Sequence, residues 1–214
     1  GAIWFCEHNG HRIRRVAPDG TITTVVGSGK RGAAGDGGPA TAAQLDLPHE
    51  LRFDRAGNLF IADTGNNAVR RVDAKTGIIT TVAGGKQRRG YEGDGGPASA
   101  ATLRGPHSIQ FDAAGTLYIC DVGNHVIRTV DPKTGLIRTL AGTGRPGPTP
   151  DGAPLAGTPL NNPRSLDVDR DGLYAAARAI GQMLTSDRVS LAAGDVFGPA
   201  VALPPDLEAA LVSR

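Results

Sequence analysis

The stretch NLFIADTGNNAVRRVDAKTGIITTVAGG at 58–85 returns as TLYICDVGNHVIRTVDPKTGLIRTLAGT at 116–143, and the same text opens the chain as AIWFCEHNGHRIRRVAPDGTITTVVGS at 2–28. A chain that repeats itself at a fixed interval builds one supersecondary unit and stacks copies of it, so the repetition governs every local reading. Val16, Val72 and Val130 stand 56 and 58 residues apart, and Pro48, Pro106 and Pro163 stand 58 and 57 apart. The differences fall in turns, where insertions are tolerated.

Each unit breaks into short apolar runs. In the middle unit they are ELRFD, NLFIAD, AVRRVD and IITTVAG, rich in β-branched residues and separated by Gly, Asn, Asp or Lys-Thr-Gly. These are strand and turn signals. Within AVRRV, Val69 and Arg71 face one way, Arg70 and Val72 the other. Four strands joined by tight turns form an antiparallel meander, which cannot bury both its faces alone. Radial stacking of such sheets, a β-propeller, is the common solution. Aromatic residues at 4%, with 31 Gly and 15 Pro among 214 residues, suit many short strands and turns rather than a helical bundle.

The segments between units are also copied, as GDGGPATAAQLDLPHELRFD at 35–54 and GDGGPASAATLRGPHSIQFD at 93–112. PATAA predicts one or two helical turns with Pro39 in the first position. DGAPLAGTPLNNP at 151–163 keeps the 13-residue span of 36–48 and 94–106. Glycines around Asp36 and Asp94 permit a tight loop. Recurrence in three units favours a structural turn there over a cation or phosphate cradle.

The pattern P-x-x-[LI]-x-[FV]-D … G-[NT]-L-[FY]-I-[AC]-D-x-G-N-x-x-[VI]-R-x-V-D-x-x-T-G-x-I-x-T-[VL]-A-G … G-D-G-G-P-A resembles the NHL repeat in its long bacterial form. The resemblance covers residues 2–171 and is specific for fold, much less so for function. It implies an all-β chain forming a partial β-propeller of four-stranded antiparallel blades, about three blades' worth. The units lie at about 1–47, 48–105 and 106–162, and the next begins at 163–171. NHL propellers usually close with six blades, so the expectation is a fragment whose remaining blades, or a partner chain, complete the ring. An extracytoplasmic location follows from the resemblance alone.

Residues 172–214 depart from the pattern. After DRDG a second strand is due at 173, and LYAAARAIGQML stands there instead. The composition predicts one helix over 175–184 and another over PPDLEAALVSR. Either the reading register changes in the underlying gene, or this tail caps the edge of an expected strand SLDVD at 165–169.

Residues present in every copy read as scaffold, and those that break the pattern as functional candidates. Arg14, Arg70 and Arg128, with Glu7, Asp63 and Asp121, are predicted to pair within or between blades. His49 and His107 differ from them. Each follows the Pro that opens the innermost strand, in PHELRF and PHSIQF, where the usual NHL residue is Gly; Arg164 takes the third place, in NPRSLDVD. In a propeller such positions converge on the mouth of the central channel. Imidazoles there suit a divalent cation such as Zn²⁺, which lowers the pKa of bound water or polarises a substrate oxygen. The plainer reading is a pair of mouth histidines bonded to backbone or water.

The P-H positions are similar to those of NHL-fold amidating lyases, which take zinc ligands from several blades. Under that resemblance His49 and His107 are metal ligands, and Arg164, which is not a ligand type, anchors a substrate carboxylate. IWFCE followed by later PH units also resembles streptogramin lyases. His11 and His125 are read as solvated turn residues, and His8 as a neighbour of the same turn.

Net charge is +2, from 23 Lys+Arg and 21 Asp+Glu, which points to neither nucleic acid nor an anionic membrane. The basic loops KRG at 30–32 and KQRRG at 86–90, with Arg145, carry no interleaved aromatics and read as a solvated rim. No apolar run reaches the ~18 residues of a membrane span, and no signal peptide is visible. Cys6 and Cys120 occupy matching places in different units and read as separate buried thiols. Two functions remain: a module binding a small molecule or a protein at the propeller face, or a metal-dependent lyase or hydrolase built on His49 and His107.

Overall fold

In the computed structural model of this protein, residues 1–85 and 88–168 and the strand Arg178–Ala179 are described. The first sheet has three strands, β1 (Ile3–Glu7), β2 (Arg12–Val16) and β3 (Ile22–Val26). The second is a four-stranded meander of β4 (Pro48–Phe53), β5 (Leu59–Asp63), β6 (Ala68–Val72) and β7 (Ile79–Gly84). The third repeats it with β8 (Pro106–Phe111), β9 (Leu117–Asp121), β10 (Val126–Val130) and β11 (Ile137–Gly142). β12 (Pro163–Ser165) starts a fourth and pairs with β13 (Arg178–Ala179). The pairings between these strands are antiparallel. This is the all-β partial propeller the repeats imply, and among the described residues no helix is long and apolar enough to cross a membrane.

The turns follow from side-chain chemistry. Asp73 Oδ1 accepts the N–H groups of Lys75 and Thr76 at 3.0 Å each, and Asp131 does the same for Lys133 and Thr134. Gly77 and Gly135 close these turns at φ +67° and +69°, in the left-handed region that costs glycine nothing.

The core lies between sheets. Phe60, Ala62, Val69 and Ala83 of the second sheet pack against Ile109, Leu117, Ile119 and Ile137 of the third. Ala98, Ala101 and Leu103, from the connecting loop, fill the gap between them. In the preceding unit Ala40, Ala43 and Leu45 fill the equivalent gap. The predicted helical turn in these loops is a single 3-10 turn, Ala40–Ala42 and Ala98–Ala100, with Pro39 and Pro97 just ahead of it rather than inside it. Small residues are needed here: a Cβ on Gly35 would lie 2.7 Å from Ala43 Cα, and one on Gly93 2.7 Å from Ala101 Cα.

The repeated charges are scaffold, as their recurrence predicts. Asp63 lies on the second strand and accepts from Asp46 N–H at 2.7 Å, Asn66 Nδ2 at 2.8 Å and Arg70 at 3.3 Å. Arg70 also donates to Asp36 Oδ1 at 2.6 Å, while Asp36 Oδ2 holds Thr81 N–H at 3.1 Å. Arg128, Asp94, Asp121 and Thr139 repeat the arrangement, with Arg128–Asp94 at 2.5 Å and Thr139 N–H to Asp94 at 2.9 Å. The GDGG loop is thus a staple that brings a carboxylate to a buried guanidinium. In the first sheet Arg14 meets Glu7 at 3.0 Å. Burial pushes the Asp63 and Asp121 carboxyls up to about 6, against the pull of those donors.

Two expectations are revised. The inner strand expected at 165–169 is shorter and earlier, Pro163–Ser165, because it begins at the same Pro as β4 and β8 and is matched by only two residues of β13. Arg178–Ala179 falls inside the expected helix at 175–184 and is strand instead, since it finds a ladder partner in β12. The second expected helix, and the rest of 172–214, lie outside the described residues.

Removing Asp94 takes the 2.5 Å carboxylate partner from the Arg128 guanidinium and leaves it Asp121, 4.0 Å away, and backbone carbonyls. Breaking a buried pair costs about 3–5 kcal/mol, and the partial exposure of Asp94 brings the expectation for Asp94→Ala to about 2 kcal/mol. Urea denaturation measures this; the double variant Asp94→Ala/Arg128→Met loses less than the two single losses together, and an unchanged midpoint for Asp94→Ala contradicts the assignment.

Candidate functional site at the mouth of the inner strands

The inner strands β4, β8 and β12 lie side by side. Side chains one place past the Pro-x start link them: Glu50 Oε2 accepts Ile109 N–H at 2.7 Å, and Ser108 Oγ accepts Leu166 N–H at 3.3 Å. Each long inner strand carries a bulge at its start. The register passes from Pro48↔Asp63 to Glu50↔Ala62, and from Pro106↔Asp121 to Ile109↔Ile119. A bulge re-aims the extra side chain, and here it falls at His49 and at His107–Ser108.

As a result the two imidazoles meet, with ring centroids 4.1 Å apart and planes inclined at 39°. His8 joins them from the turn after β1, its ring 6.1 Å from that of His49. His8 Nδ1 lies 3.3 Å from Pro48 O. A carbonyl only accepts, so His8 Nδ1 is the donor and Nε2 is left to face away from this bond. Thr64 makes the matching contact one unit later, donating to Pro106 O at 2.7 Å. A cavity of about 150 Å³ is lined by His49, Glu50, His107, Ser108, Arg164 and Ser165.

Electrostatics in this mouth is one-sided. His107 Nδ1 is buried and has no hydrogen-bond partner. Burial, then the neighbouring His49, Arg164 and His8, pull the His107 pKa down from 6.5 to about 4. Its ring is therefore neutral at physiological pH. The Glu50 carboxylate is committed to Ile109 N–H and to an ion pair with Arg52.

His11 and His125 are not solvated turn residues. His11 Nδ1 accepts Leu47 N–H at 3.2 Å, and His125 Nδ1 accepts Asn162 N–H at 3.2 Å. Asn67 Oδ1 does the same for Gly105 N–H at 2.9 Å. All three residues sit in the left-handed region, with φ of 52°, 56° and 53°. Each ties its own sheet to the residue before the next inner-strand Pro. The interchange of His with Asn at one repeat position is the signal, since both tolerate this conformation and both carry a side-chain acceptor.

The remaining candidates stand apart from the mouth. Exposed Arg31 pairs with the buried Asp46 at 2.9 Å, and Arg88 with Glu92 at 3.5 Å, both exposed. Cys6 and Cys120 are free thiols, and burial pushes Cys6 up to about 12 and raises Cys120 as well.

Comparison with known proteins agrees with this architecture. No family model matches the chain. Over 125 residues it is 33% identical to NHL repeat-containing protein 2 of Bos taurus, covering 55% of this chain and 17% of that protein. Over 154 residues it is 31% identical to Teneurin-3 of Danio rerio, covering 67% of this chain and 5% of that one. The chain thus spans a small part of the curated relatives it matches. Among solved structures, a protein of unknown function from Bacteroides thetaiotaomicron VPI-5482 aligns with TM-score 0.63 at 18% identity, over 80% of this chain and 40% of that one. An auxiliary nutrient binding protein from Bacteroides ovatus ATCC 8483 aligns with TM-score 0.58 at 22% identity, over 79% and 40%. The fold and repeats define a β-propeller segment of the kind that serves as a binding or interaction module. In sequence the chain is similar to NHL-repeat proteins, and in fold to β-propellers.

Two measurements check this geometry. Replacing His11 by Asn keeps the inter-sheet bond and leaves stability near wild type, whereas His11→Ala removes it at a cost of about 1 kcal/mol; thermal or urea unfolding distinguishes the two. The second uses His107. Below pH 6.5 the unfolded chain binds a proton that the folded ring refuses until about pH 4, so stability is lost as pH falls through that window. After allowance for solvent screening the loss is about 1–2 kcal/mol. The raised Asp63 and Asp121 act oppositely, their contribution declining as pH rises toward about 6. They are shared by wild type and His107→Gln, so the difference between the two proteins isolates the histidine. His107→Gln is expected to show the shallower acid decline, and parallel profiles contradict the assignment.

Proposed function

We propose that this chain is a binding module whose inner-strand mouth receives an anionic group, a carboxylate or phosphate, borne by a small molecule or by a protein partner at the propeller face. The observation that carries this reading is the buried, unpartnered Nδ1 of a neutral His107 beside Arg164. A neutral imidazole supplies an N–H donor, and a guanidinium supplies a charged fork matched to carboxylate and phosphate oxygens. Ser108 and Ser165 line the same cavity with hydroxyls, and Glu50 is already neutralised by its own partners. At about 150 Å³ the cavity suits a single anionic group rather than a whole drug-sized ligand. The remainder of the ligand then lies on the rim.

The competing reading is a divalent cation held by His49 and His107 for lyase or hydrolase chemistry. His8 favours it, because donation of Nδ1–H to Pro48 O leaves Nε2 free, as in many ligating histidines. Other observations favour an anion. The His49 and His107 rings lie partly face to face rather than converging on one point, and the Arg164 charge disfavours a second cation. Among the described residues no group of three or more His, Cys, Asp or Glu side chains is arranged to hold a metal ion. As arranged, the donor set does not fit a divalent cation, and no catalytic step is assigned to one.

Histidine-ring NMR during titration with acetate, then with inorganic phosphate, tests the choice. The His107 ring nitrogens are expected to shift saturably with at least one anion, with the response lost in Arg164→Gln. Stoichiometric Zn²⁺ retained by the wild type and lost in the His49→Ala/His107→Ala variant, or a His107 signal unmoved by either anion, overturns the anion reading.

A further inference from the structure

A second cavity opens at the other end of the inner strands, between the two four-stranded sheets. It holds about 670 Å³, and its lining runs from residue 54 to residue 135, within the two complete four-stranded units. Pockets for small molecules span roughly 300–1,000 Å³. Its walls are apolar: Phe60 and Val82 of the second sheet face Phe111, Leu117 and Val130 of the third. Phe60 and Phe111 meet edge to face, with centroids 4.8 Å apart and planes at 75°. One unit earlier the same contact is made by Trp4 on Phe53, at 5.1 Å and 81°. A phenyl ring at position 60 occupies less of the gap than that indole.

The rim of this groove is acidic. Asp54, Asp112 and Asp131 stand at the starts of the turns after β4, β8 and β10, and the lining holds one cation, the exposed Arg55. The carboxylates are ordered by their own turns. Asp112 Oδ1 accepts Ala114 N–H at 2.9 Å and Thr116 N–H at 2.7 Å. Asp131 Oδ1 accepts Lys133 N–H at 2.9 Å and Thr134 N–H at 2.8 Å. Burial pushes the Asp112 carboxyl up, but the bonds from Thr116 and Ala114 outweigh it and hold the group below the usual carboxylate range. The bond from Thr134 N–H does the same for Asp131. Comparison of the repeats then singles out one oxygen. In the preceding unit Asp73 takes the place of Asp131, and its Oδ2 accepts from Arg71 at 2.8 Å. Position 129 carries Thr where position 71 carries Arg. Asp131 Oδ2 therefore lacks the guanidinium that its counterpart holds.

We propose that the groove is a second binding site, for a small molecule with a flat aromatic body and an ammonium group. The body packs on Phe60, Phe111 and Val130, and the ammonium donates to Asp131 Oδ2, replacing the cation that Thr129 no longer supplies. A charged donor on a carboxylate is the stronger kind of hydrogen bond, and the phenyl faces add to the attraction for a cation. Exposed ion pairs are individually weak. Apolar contact therefore supplies most of the affinity, and the rim charge selects among ligands of similar shape. This site differs from the mouth in place and in sign. β4 and β8 run from one to the other, about 16 Å by strand rise, with imidazoles and Arg164 at the mouth and carboxylates at the groove. It stands whether or not the mouth binds an anion.

Methyl NMR on the 214-residue chain, titrated with three probes that share one ring system, tests this assignment. The probes are tryptamine, neutral 3-ethylindole and anionic indole-3-propionate. The methyl signals of Val82, Leu117 and Val130 are expected to shift saturably with tryptamine, less tightly with 3-ethylindole and least with indole-3-propionate, while tryptamine leaves the His107 ring signals unmoved. Asp131→Asn keeps an Oδ1 for the two turn bonds and removes the charge. It is expected to weaken tryptamine about two- to five-fold and to leave 3-ethylindole unchanged. Ser99→Trp, at an exposed lining position in the turn Ala98–Ala100, fills the groove and is expected to abolish the response to every probe. Both positions are exposed, and an unchanged circular-dichroism spectrum checks that each variant is folded. Methyl signals unmoved by tryptamine overturn the proposal. So do equal affinities for the three probes, tryptamine binding indifferent to Asp131→Asn, or binding that survives in folded Ser99→Trp.

Discussion

The fold depends on an arginine that cannot be left dry. Arg70 and Arg128 are 1% and 0% exposed, and a buried guanidinium is tolerable only if carboxylates and carbonyls come to meet it. The strand supplies one carboxylate, Asp63 or Asp121. The connecting loop must supply the other, Asp36 or Asp94, and in reaching the arginine it carries its alanines and leucine into the gap between sheets. Charge pairing and apolar packing are therefore set by one loop conformation. The spacing of the inner strands, and with it the meeting of His49 and His107, follows from that loop.

The repeated portion of this arrangement is legible in the sequence because repetition exposes it. Strand limits, turn residues and the pairing of Arg70 with Asp63 all recur in register, and each has a local chemical reason. The bulge that turns His107 into the mouth is not legible. It is a mismatch between β8 and β9 and leaves no residue signature of its own. His8 escapes a reading of the sequence because its partner, the Pro48 carbonyl, lies 40 residues away, and only the matching contact of Thr64 with Pro106 reveals the position as a link between sheets. His11 and His125 look solvated because a turn residue in isolation has no visible partner. Asn67 at the same repeat position holds the information. β12 and β13 diverge from expectation because strand pairing overrides local helix preference at Arg178–Ala179.

The mouth illustrates how a scaffold position becomes a candidate site. Pro48 and Pro106 fix where the inner strand begins, the bulge re-aims the next side chain, and burial with nearby positive charge keeps His107 neutral. Arg164 breaks the His pattern at the third copy and changes the chemistry from three like groups to two imidazoles and a cation. Glu50 and Ser108 use the adjacent position to hold the next inner strand, so the site sits directly on the seam between blades.

The most direct test of the whole account is the distance between two rings that are 58 residues apart in sequence. With histidine-selective labelling, a nuclear Overhauser cross-peak between the ring protons of His49 and His107 is predicted, because their centroids lie 4.1 Å apart. A folded chain without that cross-peak contradicts convergence of the inner strands, and the candidate site with it.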